Sequence, residues 1–172
     1  MLSLRLITLI FAGAIATRVI SPSELEASQQ LTTHMPVACP VTLTPVPAFV
    51  PPGYEHDRPL HGFYYGTNKL WVLVWDSPWR NLPLWDIGYR NKVVWWSEGY
   101  DWKADPKPAL EISGRRLDGA APPLVVTGAN GSYKDSMGSF IMSGVNFPTT
   151  GCWEITGQFQ GTELKFVVSV QR

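Results

Sequence analysis

The chain has 172 residues, with 14 Lys and Arg set against 14 Asp and Glu, so its formal net charge is zero. That balance, with no basic stripe and no acidic tail, gives no electrostatic footprint for nucleic acid. The length suits one ordinary domain with a real core, and two widely separated cysteines match no zinc-binding pattern.

Leu6 to Ala16 is an apolar run behind a single basic residue, Arg5, and it ends in Ala14-Ile15-Ala16, an A-x-A-like cleavage site. This is the region order of a secretory signal peptide. The run is shorter than the roughly 18 to 20 apolar residues of a membrane span, and Arg18 interrupts it. Residues 1–27 are therefore expected to be a signal peptide, cleaved after Ala16 or as late as Ala27; the alternative is an uncleaved anchor. Leu2 stands where myristoylation needs glycine. After cleavage no membrane span remains, and the product is expected to be secreted or periplasmic. Residues 28–36 read as a linker within a polar stretch from Ser21 to Met35, and 37–172 as the folded domain.

An exported chain meets an oxidising compartment, so Cys39 and Cys152 are expected to pair, with two separate buried thiols as the alternative. The bridge would close a loop on the order of 100 residues, worth at most about 4 to 5 kcal/mol by chain entropy.

Val37 to Val46 reads as a first strand carrying Cys39. Pro45, Pro47, Pro51, Pro52 and Pro59 then favour an extended surface crossing over a helix or a central strand. Strand-like runs follow at Gly62–Tyr65, Lys69–Trp75, Asn91–Ser97, Ala109–Gly114, Leu124–Thr127, Ser139–Val145, Cys152–Phe159 and Thr162–Val170. Turn chemistry separates them, including Gly66-Thr67-Asn68, Asp118-Gly119, Asn130-Gly131 and Phe147-Pro148. Nothing sustains a helical apolar period. The fold class is all-β, an antiparallel sandwich of about 7 to 9 strands.

The last two strands flank a Gln160-Gly161 turn and form a hairpin. Trp153, Ile155, Gly157 and Phe159 share one face, and Leu164, Phe166, Val168 and Val170 the matching one. Cys152 falls on the other face with Glu154. The disulfide should then tack the Cys39 segment to the outside or the end of the sandwich. Sulfurs among the central core side chains would overturn that.

Gly151-Cys152-Trp153 resembles the Gly-x-Tyr opening of the penultimate strand in many immunoglobulin-like modules, although an indole has no phenolic hydroxyl. A wider ordered set resembles a group of uncharacterised bacterial secreted proteins with an immunoglobulin-like β-sandwich. It runs through Tyr65-Gly66-Thr67-Asn68-Lys69-Leu70-Trp71, Lys92-Val93-Val94-Trp95-Trp96, Gly99-Tyr100-Asp101, Gly114-Arg115-Arg116-Leu117-Asp118-Gly119 and Phe147-Pro148-Thr149-Thr150-Gly151-Cys152-Trp153. The resemblance covers the chain from about Cys39 onward. It implies export and a sandwich fold, and it implies no site.

The chain has 8 tryptophans, and all but Trp153 lie between Trp71 and Trp102. One reading is core packing. The other is an exposed aromatic platform for a glycan or protein partner. In a regular strand Trp95 and Trp96 point to opposite faces, so at least one must face outward or lie under a loop. The long Asp76–Arg90 loop adds further rings. The candidate ligand-binding residues are Trp79, Trp85, Trp96, Tyr100 and Trp102.

No nucleophile elbow or P-loop occurs. Glu98 and Asp101 could act as paired carboxylates on a glycosidic bond; solvated turn acids are the plainer reading. Glu55-His56-Asp57 with His61 carries ligand-type side chains but no H-E-x-x-H motif. No catalytic residue, metal or cofactor is assigned. The expected function is a non-enzymatic envelope or extracellular module that binds a protein or glycan. The alternatives are a small secreted hydrolase using Glu98 and Asp101, and a purely structural envelope component. The oligomeric state is left open.

Overall fold

The computed structural model describes residues 38–54 and 59–172. The expected signal peptide, the linker and residue 37 lie outside them. Nine strands and no helix occur among the described residues. β1 (Gly62–Thr67) and β2 (Leu70–Trp75) form a hairpin, and β3 (Leu84–Trp85) leads into β4 (Gly88–Trp96). β5 (Glu111–Arg116), β6 (Val125–Lys134), β7 (Gly138–Phe147), β8 (Gly151–Phe159) and β9 (Thr162–Val170) follow. The larger sheet has the order β1-β2-β4-β7-β6, with β3 added to β4; the smaller is β5-β8-β9. Every strand pairing is antiparallel.

The two sheets share one core, as in a β-sandwich. Leu70, Val72, Val74, Val93, Trp95, Ile141, Val145 and Phe147 come from the larger sheet. Trp153, Ile155, Phe159, Phe166, Val168 and Val170 come from the smaller. The alternation read from the final hairpin therefore holds. Trp95 lies edge-on to Phe166 at 5.7 Å, and its indole N–H donates to Ser143 Oγ at 3.3 Å. That bond explains a buried serine on a core face.

The register also departs from expectation. β6 runs through Asn130-Gly131, which reads as a turn in the sequence, and absorbs the disruption as a bulge between Thr127 and Asn130. The residues from Ala38 to Val46 form no strand. Val41 N–H turns back to the Cys39 carbonyl at 2.8 Å. Thr42 then bonds Val167 twice, its N–H to the Val167 carbonyl at 2.9 Å and its hydroxyl from the Val167 N–H at 2.8 Å. A side chain thus replaces a ladder bond, and the following prolines prevent more.

Cys39 and Cys152 form the disulfide, with Cα atoms 5.4 Å apart. Cys152 is buried but stands outside the central cluster, on the face away from it. The bridge fastens the leading segment along the β9 edge, as the hairpin parity requires. The outer face of the smaller sheet is otherwise polar, with Arg115 paired to Glu154 and Lys165 to Glu163, both at 2.8 Å.

Candidate functional site

A second apolar cluster covers the outer face of the larger sheet. It holds Tyr64, Trp71, Leu73, Trp96 and Phe140. Parity places Trp71 and Trp96 there, and the β2–β4 register sets them directly opposite. Their rings stack in parallel, 6.3 Å between centroids. The proline-rich segment crosses above them. Phe49 packs edge-on against Trp71 at 6.5 Å, and Tyr54 against Tyr64 and Trp96 at 5.4 and 6.1 Å. The Met137 carbonyl accepts from both the Tyr54 hydroxyl and the Trp96 indole N–H, the latter at 3.1 Å.

Beside this stack opens a cleft of about 190 Å³. Trp71, Trp96, Tyr54 and Pro52 form its apolar part, and Ser97, Glu98 and Ser139 its polar part. Trp71 Nε1 is buried without a hydrogen-bond partner. An unmet donor of this kind costs about 1 to 3 kcal/mol. Such a hollow of aromatic faces with a few polar groups is a small-ligand geometry, sized for one ring or one side chain.

The five candidate aromatics do not make one surface. Trp79 is in the core, 4% exposed, edge-on to Phe147, with its indole N–H on the Trp75 carbonyl at 3.2 Å. It is buried because its backbone joins β9 beside Val170, which carries the ring between the sheets. Trp96 is 2% exposed and belongs to the covered cluster, so it borders the cleft rather than standing free. Trp85 is exposed, under the Arg90 guanidinium at 4.4 Å. It sits at the Gly88 end of β4, roughly 25 Å from Trp96 at about 3.3 Å per residue.

Tyr100 and Trp102 are half-buried in the loop after β4. Tyr100 lies edge-on to Phe159 and donates its hydroxyl to the Asp105 carbonyl at 2.8 Å. Burial, then the charges of Asp105 and Asp101, push its hydroxyl above the usual phenol range, so it stays protonated. Trp102 stacks on Tyr133 at 6.4 Å, and Lys103 lies 5.9 Å from the Trp102 ring centre. Tyr54 and Trp71 lie outside the five expected aromatics; alternation along β2 could have set Trp71 on a face, but its partner on β4 was not readable.

Glu98 reaches the cleft rim and Asp101 does not. Asp101 Oδ1 instead accepts the Lys103 N–H at 3.0 Å within its own turn. His61 is exposed, while His34, Glu55, His56 and Asp57 lie outside the described residues. Among the described residues no group of three metal-ligating side chains occurs, and no helix is long and apolar enough to cross a membrane.

No family model matches the chain, and no curated protein does. A solved structure described as a "Putative Lipoprotein from Bacillus anthracis" is similar at 17% identity, covering 64% of this chain and 78% of that one, with a TM-score of 0.35. A likeness at that level fixes neither the fold nor the function of the present chain.

Proposed function

We propose that this chain is an exported, non-enzymatic module of immunoglobulin-like topology that binds a glycan or protein partner in the cell envelope or outside the cell. One observation carries the reading: the Trp71–Trp96 stack meets a cleft with a polar rim. Flat aromatic faces suit sugar rings or apolar side chains, and rim hydroxyls and a carboxylate supply orientation.

The strand order supports the topology. Reading β2, β4, β5, β6, β7, β8 and β9 as A to G gives A-B-E-D in one sheet and C-F-G in the other, the constant-type arrangement. β1 and β3 are additions. The disulfide departs from the antibody pattern, joining the start of F to the leading segment instead of crossing between B and F. A disulfide also supports passage through an oxidising compartment.

The test is fluorescence titration of the mature protein against a panel of envelope glycans and peptides, with Glu98→Gln and Ser139→Ala at the rim. Both residues sit at the edge of the aromatic cluster, so the fold should persist by circular dichroism. Binding that weakens severalfold in either variant supports the reading. A panel in which nothing binds overturns it and leaves a structural component. A second reading is a small hydrolase using Glu98 and Asp101; Glu98 at the rim favours it, and Asp101, held in its own turn away from the cleft, does not. Turnover that vanishes in Glu98→Gln and in Asp101→Asn while binding persists would establish that instead.

A further inference from the structure

The outer face of the larger sheet holds a second hollow, a groove of about 590 Å³ across β4, β7 and β6. Gly144 and Met142 of β7 form its floor, with Arg90 and Lys92 on one side and the bulged Gly128-Ala129 on the other. Lys107 reaches it from the loop that is tied to β6 by the Gly131 N–H on the Pro106 carbonyl, at 2.9 Å. Three cations line this groove and no carboxylate does. Among the described residues none of the three forms an ion pair.

Arg90 is held in place without a counter-ion. Its guanidinium lies 4.4 Å from the Trp85 ring centre, and Nη2 reaches over β7 to Thr127 Oγ1 at 3.5 Å. The Thr127 hydroxyl in turn donates to the Gly144 carbonyl at 3.3 Å. Only glycine permits this. A Cβ on residue 144 would lie 2.3 Å from Thr127 Oγ1 and 3.1 Å from Arg90 Nη2. A guanidinium fixed by a ring and a hydroxyl keeps further donors for a planar oxyanion and loses little freedom on binding.

We propose that this groove binds the oxyanions, carboxylate or phosphate, of an acidic glycan chain. Trp85 lies outside the groove lining and acts through Arg90, which it holds, while Lys92 and Lys107 add charge along the groove. Single-stranded nucleic acid is disfavoured, because it is held by successive stacking rings along a basic track and no aromatic ring lines this groove. The groove stands apart from the aromatic cleft. Lys92 and Trp96 share a face of β4 but are roughly 13 Å apart at about 3.3 Å per residue.

The experiment is calorimetric titration of the mature protein at low salt. The probes are a galacturonate oligosaccharide, a glycerol-phosphate oligomer, inorganic phosphate and a single-stranded oligodeoxynucleotide. Either acidic oligomer should bind more tightly than inorganic phosphate, and the one that binds identifies the oxyanion. Lys92→Gln combined with Lys107→Gln, both exposed, should weaken it roughly tenfold or more, as expected for losing charge-assisted bonds. Trp85→Ala, which keeps every charge, should weaken it severalfold by freeing Arg90. Glu98→Gln in the cleft should not weaken it, which separates this groove from the cleft reading. Undiminished binding by the double variant, no oligomer binding above that of phosphate, or tighter binding of the oligonucleotide would each overturn the proposal.

Discussion

A methyl group on Gly157 would sit 2.5 Å from the six-membered ring of Trp95. That ring is fully buried and pinned by Ser143 and Phe166, so it cannot swing aside cheaply. Gly157→Ala is expected to destabilise the domain by about 1 to 3 kcal/mol through overpacking. A lower urea midpoint with an unchanged slope would show it; an unchanged midpoint would mean that the ring has room. Trp153 makes a related point at the strand start. Its indole N–H donates to the Thr149 carbonyl four residues upstream, at 3.0 Å. That bond ties the start of β8 to the turn before it. Trp153→Phe removes that donor and some buried volume, and should cost about 1 to 3 kcal/mol. At the surface, burial raises the Asp118 carboxyl, but bonds from Arg116 and the Cys152 backbone, with the Arg116 charge, outweigh it and hold the group below its ordinary value. A depressed folded value adds stability above the unfolded value, lost as pH falls through the folded one. Asp118→Asn should therefore be less stable than wild type at pH 7, by about 1 kcal/mol or less for so exposed a pair, and the gap should narrow as pH falls below the ordinary aspartate range and close once it passes the lower folded value.

At the level of elements, what could be read in advance was parity. Alternation along β8 and β9 placed Trp153 and Phe166 inward and Cys152 outward, because one buried face imposes period two on a strand. Trp95 and Trp96 were separable for the same reason. Register was not readable. Nothing local says that Trp71 stands opposite Trp96, or that Asn130-Gly131 continues β6 past a bulge, because those depend on partners distant in sequence. The prolines do produce an extended crossing, yet its destination over the Trp71–Trp96 stack could not be derived, so Tyr54 was missed as part of the candidate site. The β8–β9 turn is the exception, since a two-residue loop constrains its own geometry. Gln160 and Gly161 have φ of 47° and 78°, as a type I′ turn needs, and asparagine is favoured over glutamine at the first position. Gln160→Asn should raise stability by about 0.5 kcal/mol, read as a higher denaturant midpoint. A decrease would mean that the turn is not what sets this hairpin.

For the molecule as a whole, the larger sheet is covered twice, by the smaller sheet on one face and by residues 49–54 over part of the other. The second cover lacks strand pairing of its own. Its lead-in is tied to the smaller sheet by the Cys39–Cys152 bridge and the Thr42–Val167 bonds, and the rings of Phe49 and Tyr54 seat it on the larger one. The bridge spans 113 residues, so by loop entropy its loss should cost at most about 4 to 5 kcal/mol. Its absence should also be felt locally. A double Cys39→Ser, Cys152→Ser variant keeps the sandwich core intact but leaves the cover to weak contacts. The Trp71 and Trp96 face should then open more often than the core, since stability within a fold is not uniform. Two measurements on that variant separate the effects: a global loss read from the denaturation midpoint, and greater acrylamide quenching of tryptophan under native conditions. A lower midpoint with unchanged quenching would show that the aromatic contacts alone hold the cover, and the cleft would then be a rigid feature of the sheet rather than one whose roof the disulfide keeps in place.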